Sequence, residues 1–266
     1  IITDLEILSP SILIYRQMLQ WLGGMGIVIL ALAILPMLGV GGMQLYKVES
    51  TGPIKDNKIS PRIAETAKSL WKVYMGLTLL CALSYFLAGM NIFDSIAHSF
   101  STIAIGGFST HNSSIGYFNN QFIEFICMFF MFLAALNFIL HFMAIKTGNI
   151  LVYFKDTEVK TYISIIIFFL ILIYSFYFAN DEDIEFRHII FQLISFITTS
   201  GFTSTSYESW PSFIVISLLL VSFFGACAGS TGGGIKIIRI VLILKLLKKG
   251  LLRTLHPTAE VPIKIN

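Results

Sequence analysis

The sequence predicts an all-α polytopic membrane protein, and three observations lead to this fold class. Of its 266 residues, 56% are hydrophobic and 12% are charged, and the mean hydropathy is +0.81. A soluble domain carries about 25% charged residues. Several apolar stretches reach the roughly 20 residues that a membrane-spanning helix needs. The basic residues gather on one side of these stretches. The same composition excludes disordered chains and disulfide-stapled secreted scaffolds.

Five apolar stretches predict membrane-spanning helices, called spans one to five. They lie at residues 12–38, 68–90, 121–143, 161–179 and 211–247. Span five is too long for one crossing and contains residues 229–234 (GSTGGG). Because glycine disfavours the helix interior, we expect a broken helix with irregular backbone at membrane depth. Such backbone is tolerated there only where it is buried in protein or lines a cavity.

Charge asymmetry predicts the orientation of the spans. Of the 18 Lys and Arg residues, all but Arg16 and Arg187 lie beside or beyond the ends that the positive-inside rule places in the cytoplasm. The other side carries acidic residues, including the run at 181–183. We therefore expect five crossings from an outside N-terminus to an inside C-terminus. An outside N-terminus without a preceding span, in a chain that does not begin with Met, predicts a piece of a longer protein.

A repeat with a period of 94 residues covers two outer connections. Residues 91–103 after span two and residues 183–197 after span four are amphipathic and too short to cross a membrane. Each opens with Asn or Asp, which favour helix N-caps. Each leads into a glycine-centred segment, and Gly107 and Gly201 are 94 residues apart. The predicted unit is a spanning helix, a short re-entrant helix, an extended loop and a second spanning helix.

The physics of this unit points to a cation pore. A half-helix that ends at membrane depth directs its negative end inward, where it favours a cation. The extended segment can turn backbone carbonyls toward a water-filled axis, and a ring of carbonyls replaces the hydration shell of an alkali ion. Glycine supports these turns because it adopts positive φ. The alternative is that both loops are re-entrant packing elements.

Several motifs resemble the Trk/Ktr/HKT superfamily of potassium transporters, specifically its bacterial TrkH-type subunit. They are YRQMLQWLGGMG at 15–26, GGMQL at 41–45, STIAIGGFST at 101–110, ITTSGFT at 197–203 and AGSTGGGIK at 228–236. The resemblance covers essentially the whole chain and implies M1–P–M2 pore-loop repeats, four of which make one pore. Residues 1–66 would hold the second helix of repeat one and a cytoplasmic loop, residues 67–159 repeat two, and residues 160–266 repeat three with a basic tail. The first filter and the fourth repeat are absent from these residues.

The resemblance also implies a selectivity filter and a gate. The filter residues would be Ile103, Ala104, Ile105, Gly106, Gly107 and Phe108 in repeat two, and Ile197, Thr198, Thr199, Ser200, Gly201 and Phe202 in repeat three. The carbonyls of residues 103–106 and 197–200 would be the K⁺ ligands. The gate would be an intramembrane loop beneath the filter, formed by Ala228, Gly229, Ser230, Thr231, Gly232, Gly233 and Gly234. Small residues suit this role because they rearrange with little steric cost.

The expected function is potassium uptake across the cytoplasmic (inner) membrane of a bacterium, passive along the pore and gated from the cytoplasmic side. Na⁺ and Rb⁺ are further candidate ions, and no cofactor or nucleic acid is expected. Coupling to protons or sodium, as in a symporter, stays open. The basic tail from Lys245 to Arg253 could bind anionic lipid headgroups. The resemblance adds cytosolic nucleotide-binding regulatory subunits as partners of this tail, and a homodimer of the intact subunit.

Other interpretations of single features are weaker. The stretch 229–236 resembles a phosphate-binding loop, so a membrane receptor or enzyme whose glycine-rich loop binds a ligand is the alternative function. The spacing fails, because Ile235 separates Gly234 from Lys236. The sequence shows no Ser/His/Asp set, carboxylate pair or metal cluster that would indicate an enzyme. The polar residues within apolar stretches are expected to pack and form hydrogen bonds rather than relay protons; they are His98, Asn137, His141 and His188.

Overall fold

The structure is a computed structural model that describes residues 4–26, 62–180 and 184–255. Within these ranges the chain is helical and has no strand, only an isolated bridge between Phe224 and Ile235. The α-helices are α1 (Pro10–Trp21), α2 (Arg62–Leu87), α3 (Ile92–Ile103), α4 (Gln121–Ala134), α5 (Phe138–Thr147), α6 (Leu151–Lys155), α7 (Thr157–Asn180), α8 (Phe186–Thr198), α9 (Ser212–Ser222) and α10 (Ile237–Leu255). A π-helical turn, Leu22–Gly26, follows α1, and a 3₁₀ turn, Ser114–Phe118, precedes α4.

Among the described residues, two helices are long and apolar enough to cross a membrane, and there is a third span if the bent pair Gln121–Ala134 and Phe138–Thr147 counts as one. The two helices are Lys68–Leu87 within α2 and Thr157–Ala179 within α7, with mean hydropathies of 1.5 and 2.3. These helices confirm the apolar helices expected at spans two and four. The C-terminal part of span one lies outside the described residues, as do the 41–45 motif, the acidic run at 181–183 and residues 256–266.

The prediction of one continuous helix at 121–143 is wrong. The chain forms two helices there, α4 and α5, bent by 95°. The side chain of Asn137 caps α5 by accepting a hydrogen bond from the Ile139 N–H at 2.9 Å. The Phe138 N–H donates to the Gly229 carbonyl and the Cys227 N–H donates to the Ala135 carbonyl, both at 3.0 Å. The glycine-rich loop thus satisfies backbone groups that the bend removes from the helix.

Helices α3 and α8 confirm the two short helices. At α3, Asn91 is the N-cap as expected, and its side chain accepts from the Asp94 N–H at 2.8 Å. Helix α8 begins at Phe186, later than the predicted start at residue 183, and its N-cap Glu185 makes no side-chain capping bond. The Asp cap expected from the sequence lies outside the described residues.

The last apolar stretch is broken, as the glycines predict. Helix α9 ends at Ser222 and α10 begins at Ile237. Hydrogen bonds from the Gly225 N–H to the Ile235 carbonyl at 2.9 Å, and from the Ile235 N–H to the Phe223 carbonyl at 3.2 Å, close the base of the intervening loop.

Two apolar cores join these helices. One is built around Tyr74, Tyr85 and Phe138, and it also takes in Phe191 and Phe202 from the second half of the chain. The other surrounds α8, with Tyr162, Leu193, Ile214 and Cys227 among its buried members. Helix α1 is fixed to α2 where the Tyr74 hydroxyl donates to the Trp21 carbonyl at 2.8 Å and Trp21 Nε1 donates to Thr78 Oγ1 at 3.0 Å. The cores hold the ends of α3 and α8 in place, where the candidate site lies.

Candidate ion pathway

The residues that follow α3 and α8 share one backbone geometry. We call residues 103–108 the first glycine loop and residues 197–202 the second glycine loop. Gly107 and Gly201 have φ of +70° and +87°, and Ile105 and Thr199, two residues earlier, have φ of +53° and +63°. Positive φ is rare for a β-branched residue and costs about 1–3 kcal/mol, so it persists only where the surroundings impose it.

The helix ends impose this geometry through matching hydrogen bonds. The Gly106 N–H donates to the Ser101 carbonyl at 2.8 Å, and the Ser200 N–H donates to the Ser195 carbonyl at 2.9 Å. The Ile105 N–H and Thr199 N–H likewise donate to the carbonyls of Thr102 and Phe196, at 3.1 and 3.0 Å. These two helix-ending bonds in the first loop have their counterparts 94 residues later, the period that the sequence predicts.

Four buried residues of the two loops have carbonyl oxygens that accept no hydrogen bond in the part of the chain that the structure describes. They are Ala104, Ile105, Thr198 and Ser200, and none of these residues is more than 7% exposed. The carbonyl of Thr199 is likewise without a donor there. Buried backbone carbonyls nearly always have a partner. These oxygens therefore form a set of free acceptors that suits a cation.

The two glycine loops lie against each other at Gly107. A Cβ built on Gly107 would overlap the Ser200 carbonyl oxygen and lie 2.8 Å from its carbon, whereas a Cβ on Gly201 meets nothing within 4 Å. Position 107 thus requires glycine for two reasons, its positive φ and the lack of space for a Cβ. Position 201 favours glycine only because of its positive φ.

Side chains connect each short helix to the segment after its glycine loop. Thr110 Oγ1 donates to Asp94 Oδ1 at 2.6 Å, and 94 residues later His188 Nδ1 and Ser204 Oγ lie 2.8 Å apart. Burial raises the pKa of Asp94, but the hydrogen bonds from Thr110 and His111 outweigh it and hold the pKa below its usual range. Asp94 is therefore an ionised group in the first turn of α3.

The histidines serve as hydrogen-bonding groups, as the sequence predicts. His98 Nδ1 lies 2.9 Å from the Asp94 carbonyl oxygen, and His98 Nε2 lies 2.9 Å from Ser109 Oγ. Burial lowers the pKa of His98 to about 4, so the ring is neutral. His141 Nδ1 lies 2.7 Å from the Tyr153 hydroxyl, and its Nε2 lies 2.9 Å from the Leu133 carbonyl oxygen.

The triglycine loop, defined as residues 228–234, contacts both glycine loops. Thr231 Oγ1 donates to the Ile103 carbonyl at 2.8 Å and to the Ala134 carbonyl at 3.2 Å. The Gly233 N–H donates to Thr199 Oγ1 at 2.7 Å. The sequence predicts a loop near the filter, and the structure brings it into direct contact with the ends of both short helices.

Two residues of this site were not predicted from the sequence. Glu158 Oε2, at the start of α7, accepts from the Ala228 N–H at 3.0 Å and holds one end of the triglycine loop. Gln20, near the end of α1, donates from Nε2 to the Gly106 carbonyl at 2.8 Å. The signal in the sequence is weak: Glu158 is an acid beside an apolar span, and Gln20 is an amide within one.

Comparison with known proteins agrees with this architecture. A family model described as "TrkH: Cation transport protein" matches residues 1–266. The Trk system potassium uptake proteins TrkH of Halomonas elongata and Vibrio parahaemolyticus are 49% and 50% identical to the chain, over all of it and 56% of their own length. TrkG of Escherichia coli is 40% identical over the same shares.

A solved structure is also similar. The crystal structure of the potassium transporter TrkH from Vibrio parahaemolyticus matches with a TM-score of 0.83 and 45% identity, over 98% of this chain and 54% of that one. The chain thus spans about half the length of the curated relatives it matches. These relatives are named as transporters, not enzymes. The chain is a helical membrane protein and belongs to the TrkH family of cation transport proteins.

Proposed function

We propose that this chain contributes two filter segments and a gate to a potassium-conducting pore in the cytoplasmic membrane of a bacterium. Its relatives are named as potassium uptake proteins. The observation that carries the proposal is the pair of glycine loops, which share alternating positive φ values and touch at Gly107 and Ser200.

The carbonyls of the glycine loops are the proposed K⁺ ligands. Those of Ala104, Ile105, Thr198, Thr199 and Ser200 have no competing donor among the described residues. The carbonyls of Ile103 and Gly106 accept from Thr231 and Gln20, and each keeps a second lone pair. Ile197 completes the set from α8. Since a dehydrated alkali ion needs several oxygens at once, two loops supply part of a coordination shell.

The triglycine loop is the proposed gate. It reaches the glycine loops through one hydroxyl and one backbone N–H, from Thr231 and Gly233. Further hydrogen bonds hold the loop to α5 and α7, from the Phe138 N–H to the Gly229 carbonyl and from the Ala228 N–H to Glu158. Each of these bonds contributes about 1 kcal/mol, so breaking only the two contacts to the glycine loops would free the loop from the filter at modest cost. Helix α10, which carries the basic residues Lys245, Lys248 and Lys249, begins three residues beyond the loop. A regulatory subunit or lipid that displaces α10 would therefore pull directly on the loop.

Rubidium flux by the full-length protein that carries this sequence, reconstituted in vesicles, tests the proposal. Gly107→Ser and Gly201→Ser should reduce K⁺ and Rb⁺ flux or their preference over Na⁺ by at least about tenfold, a loss of about 1.4 kcal/mol at the ligands. Gly148→Ser is the matched control, because Gly148 has φ of +64° and open space but lies at the end of α5, away from the glycine loops. Wild-type flux and preference in both filter variants would refute the filter assignment.

A further inference from the structure

The side chain of Gln20 lies across the first glycine loop. Its Nε2 donates to the Gly106 carbonyl at 2.8 Å, and its Oε1 accepts from Ser101 Oγ at 2.8 Å. The Gly106 N–H donates to the Ser101 carbonyl, also at 2.8 Å. Gln20, Ser101 and Gly106 are thus joined by a ring of three hydrogen bonds. This ring connects α1, the last turn of α3 and the first glycine loop.

This ring of hydrogen bonds fixes which way the amide points. Nε2 is a donor and Oε1 an acceptor, so the observed orientation pairs each with its complement. With the amide reversed, Oε1 would face the Gly106 carbonyl oxygen and two acceptors would meet. The Gly106 carbonyl is therefore held in one direction by a side chain from another helix, 86 residues away in the sequence.

The same contact explains why the first loop has two glycines and the second has one. Gly106 does not have a positive φ, so its backbone does not demand glycine. A Cβ built on it would lie 2.6 Å from Gln20 Nε2 and overlap the amide carbon and Oε1. The counterpart 94 residues later is Ser200, whose hydroxyl is buried and has no hydrogen-bond partner among the residues that the structure describes. The Gln20 amide thus fills, beside Gly106, the space that the Ser200 side chain fills in the second glycine loop.

We propose that Gln20 is a positioning residue that sets the ion preference of the first glycine loop, an inference that rests on the proposed function. A carbonyl oxygen that accepts a hydrogen bond from a neighbouring helix resists moving closer to a smaller ion, so it favours K⁺ over Na⁺ where several such ligands surround one site. Within residues 4–26, 62–180 and 184–255, no side chain donates to the Ser200 carbonyl in the same way. Gln20 therefore makes the two loops unequal ligands for the same cation.

The first test replaces the amide in the full-length protein. Gln20→Leu keeps the approximate volume and removes both bonds, and Gln20→Glu keeps an acceptor for Ser101 but gives Gly106 no donor. Each should lower the K⁺/Na⁺ permeability ratio by about fivefold to tenfold, the effect of losing about one hydrogen bond. Gln17→Leu is the control, because Gln17 lies on the same helix and neither atom of its buried amide has a partner in the described structure. It should leave the ratio unchanged.

The second test uses the steric overlap between a Cβ at position 106 and the Gln20 amide. Gly106→Ser alone should displace the Gln20 amide and lower Rb⁺ flux, and combining it with Gln20→Ala should restore a measurable part of that flux because the amide no longer fills the space. An unchanged permeability ratio in Gln20→Leu or, if that variant does not fold, in Gln20→Glu would overturn the inference, and so would an equal loss of flux from Gly106→Ser in both backgrounds. If Gly107→Ser still abolishes selectivity, only the role of Gln20 has failed; if it does not, the proposed filter itself has failed.

Discussion

The two glycine loops have one backbone in two different environments. The first is enclosed by Gln20 on one side and by the Ser200 carbonyl at Gly107 on the other, whereas the second is open at Gly201. Their dihedral angles and helix-ending hydrogen bonds match at an offset of 94 residues. The matching helix-ending bonds give both loops the same conformation, while the neighbours of each loop decide which of its positions accept a side chain.

The largest difference should come from alanine at the central glycines. Both substitutions place a Cβ at positive φ, which costs about 1 kcal/mol. Gly107→Ala also drives that Cβ into the Ser200 carbonyl, a main-chain atom with little freedom to move, and such overpacking adds about 1–3 kcal/mol. Gly107→Ala should therefore lower the apparent melting temperature of the detergent-solubilised full-length protein clearly more than Gly201→Ala. Equal losses would mean that the loops do not touch as described.

A second difference concerns pH and the residue pair His98 and Gln192, which are 94 residues apart. The pKa of His98 falls from 6.5 to about 4 through burial, so the unfolded chain binds the proton first as pH falls. Above pH 6.5 the neutral His98 ring costs the folded protein no stability. As the pH falls from 6.5 toward 4, the free energy of unfolding decreases, by about 2 kcal/mol at pH 5. His98→Gln, which installs the counterpart residue, should reduce the loss of melting temperature between pH 7 and pH 5. An identical loss in the variant would contradict this assignment.

A smaller effect is expected at the contact between the triglycine loop and the first glycine loop. Thr231→Val keeps the shape of the side chain and removes the hydroxyl that donates to Ile103 and Ala134. In the proposed gate this contact holds the loop against the first glycine loop, so losing about 1 kcal/mol from it should raise Rb⁺ leak through reconstituted vesicles by about fivefold.

The control for this contact is Ser230→Ala, because the Ser230 hydroxyl donates to the Cys227 carbonyl and to neither glycine loop. Its leak should equal that of the wild type. A leak in Thr231→Val no greater than in Ser230→Ala would show that the hydroxyl does not hold the gate.

The smallest effect is expected within the second glycine loop. The buried Ser200 hydroxyl has no partner among the described residues, so Ser200→Ala should be neutral or stabilise the protein by up to about 1 kcal/mol. Ser195→Ala makes the same chemical change but removes a hydrogen bond to the Phe202 carbonyl at 2.7 Å, so it should destabilise by about 1 kcal/mol. Thermal unfolding of both variants measures whether each substitution stabilises or destabilises the protein. A destabilised Ser200→Ala would reveal a partner for that hydroxyl.

Much of the helix pattern follows from the sequence because it depends on local properties. The apolar stretches of α2 and α7, the Asn91 cap of α3 and the break before Ile237 were all predicted and confirmed. The bend between α4 and α5 was not. Its apolar sequence runs through without glycine or proline, and the bend depends on hydrogen bonds with residues 227–231, about 90 positions later.

Hydropathy, spacing and glycine content act over short distances, and they are enough to predict a helical membrane protein with two glycine loops and a break in its last apolar stretch. The contacts that those loops make depend on how distant parts of the chain pack together. Gln20 meets Gly106 across 86 residues, Thr231 meets Ile103 across 128, and Glu158 meets Ala228 across 70. A hydrogen bond requires two groups to meet within about 3 Å at a suitable angle, and packing of the whole chain sets that distance.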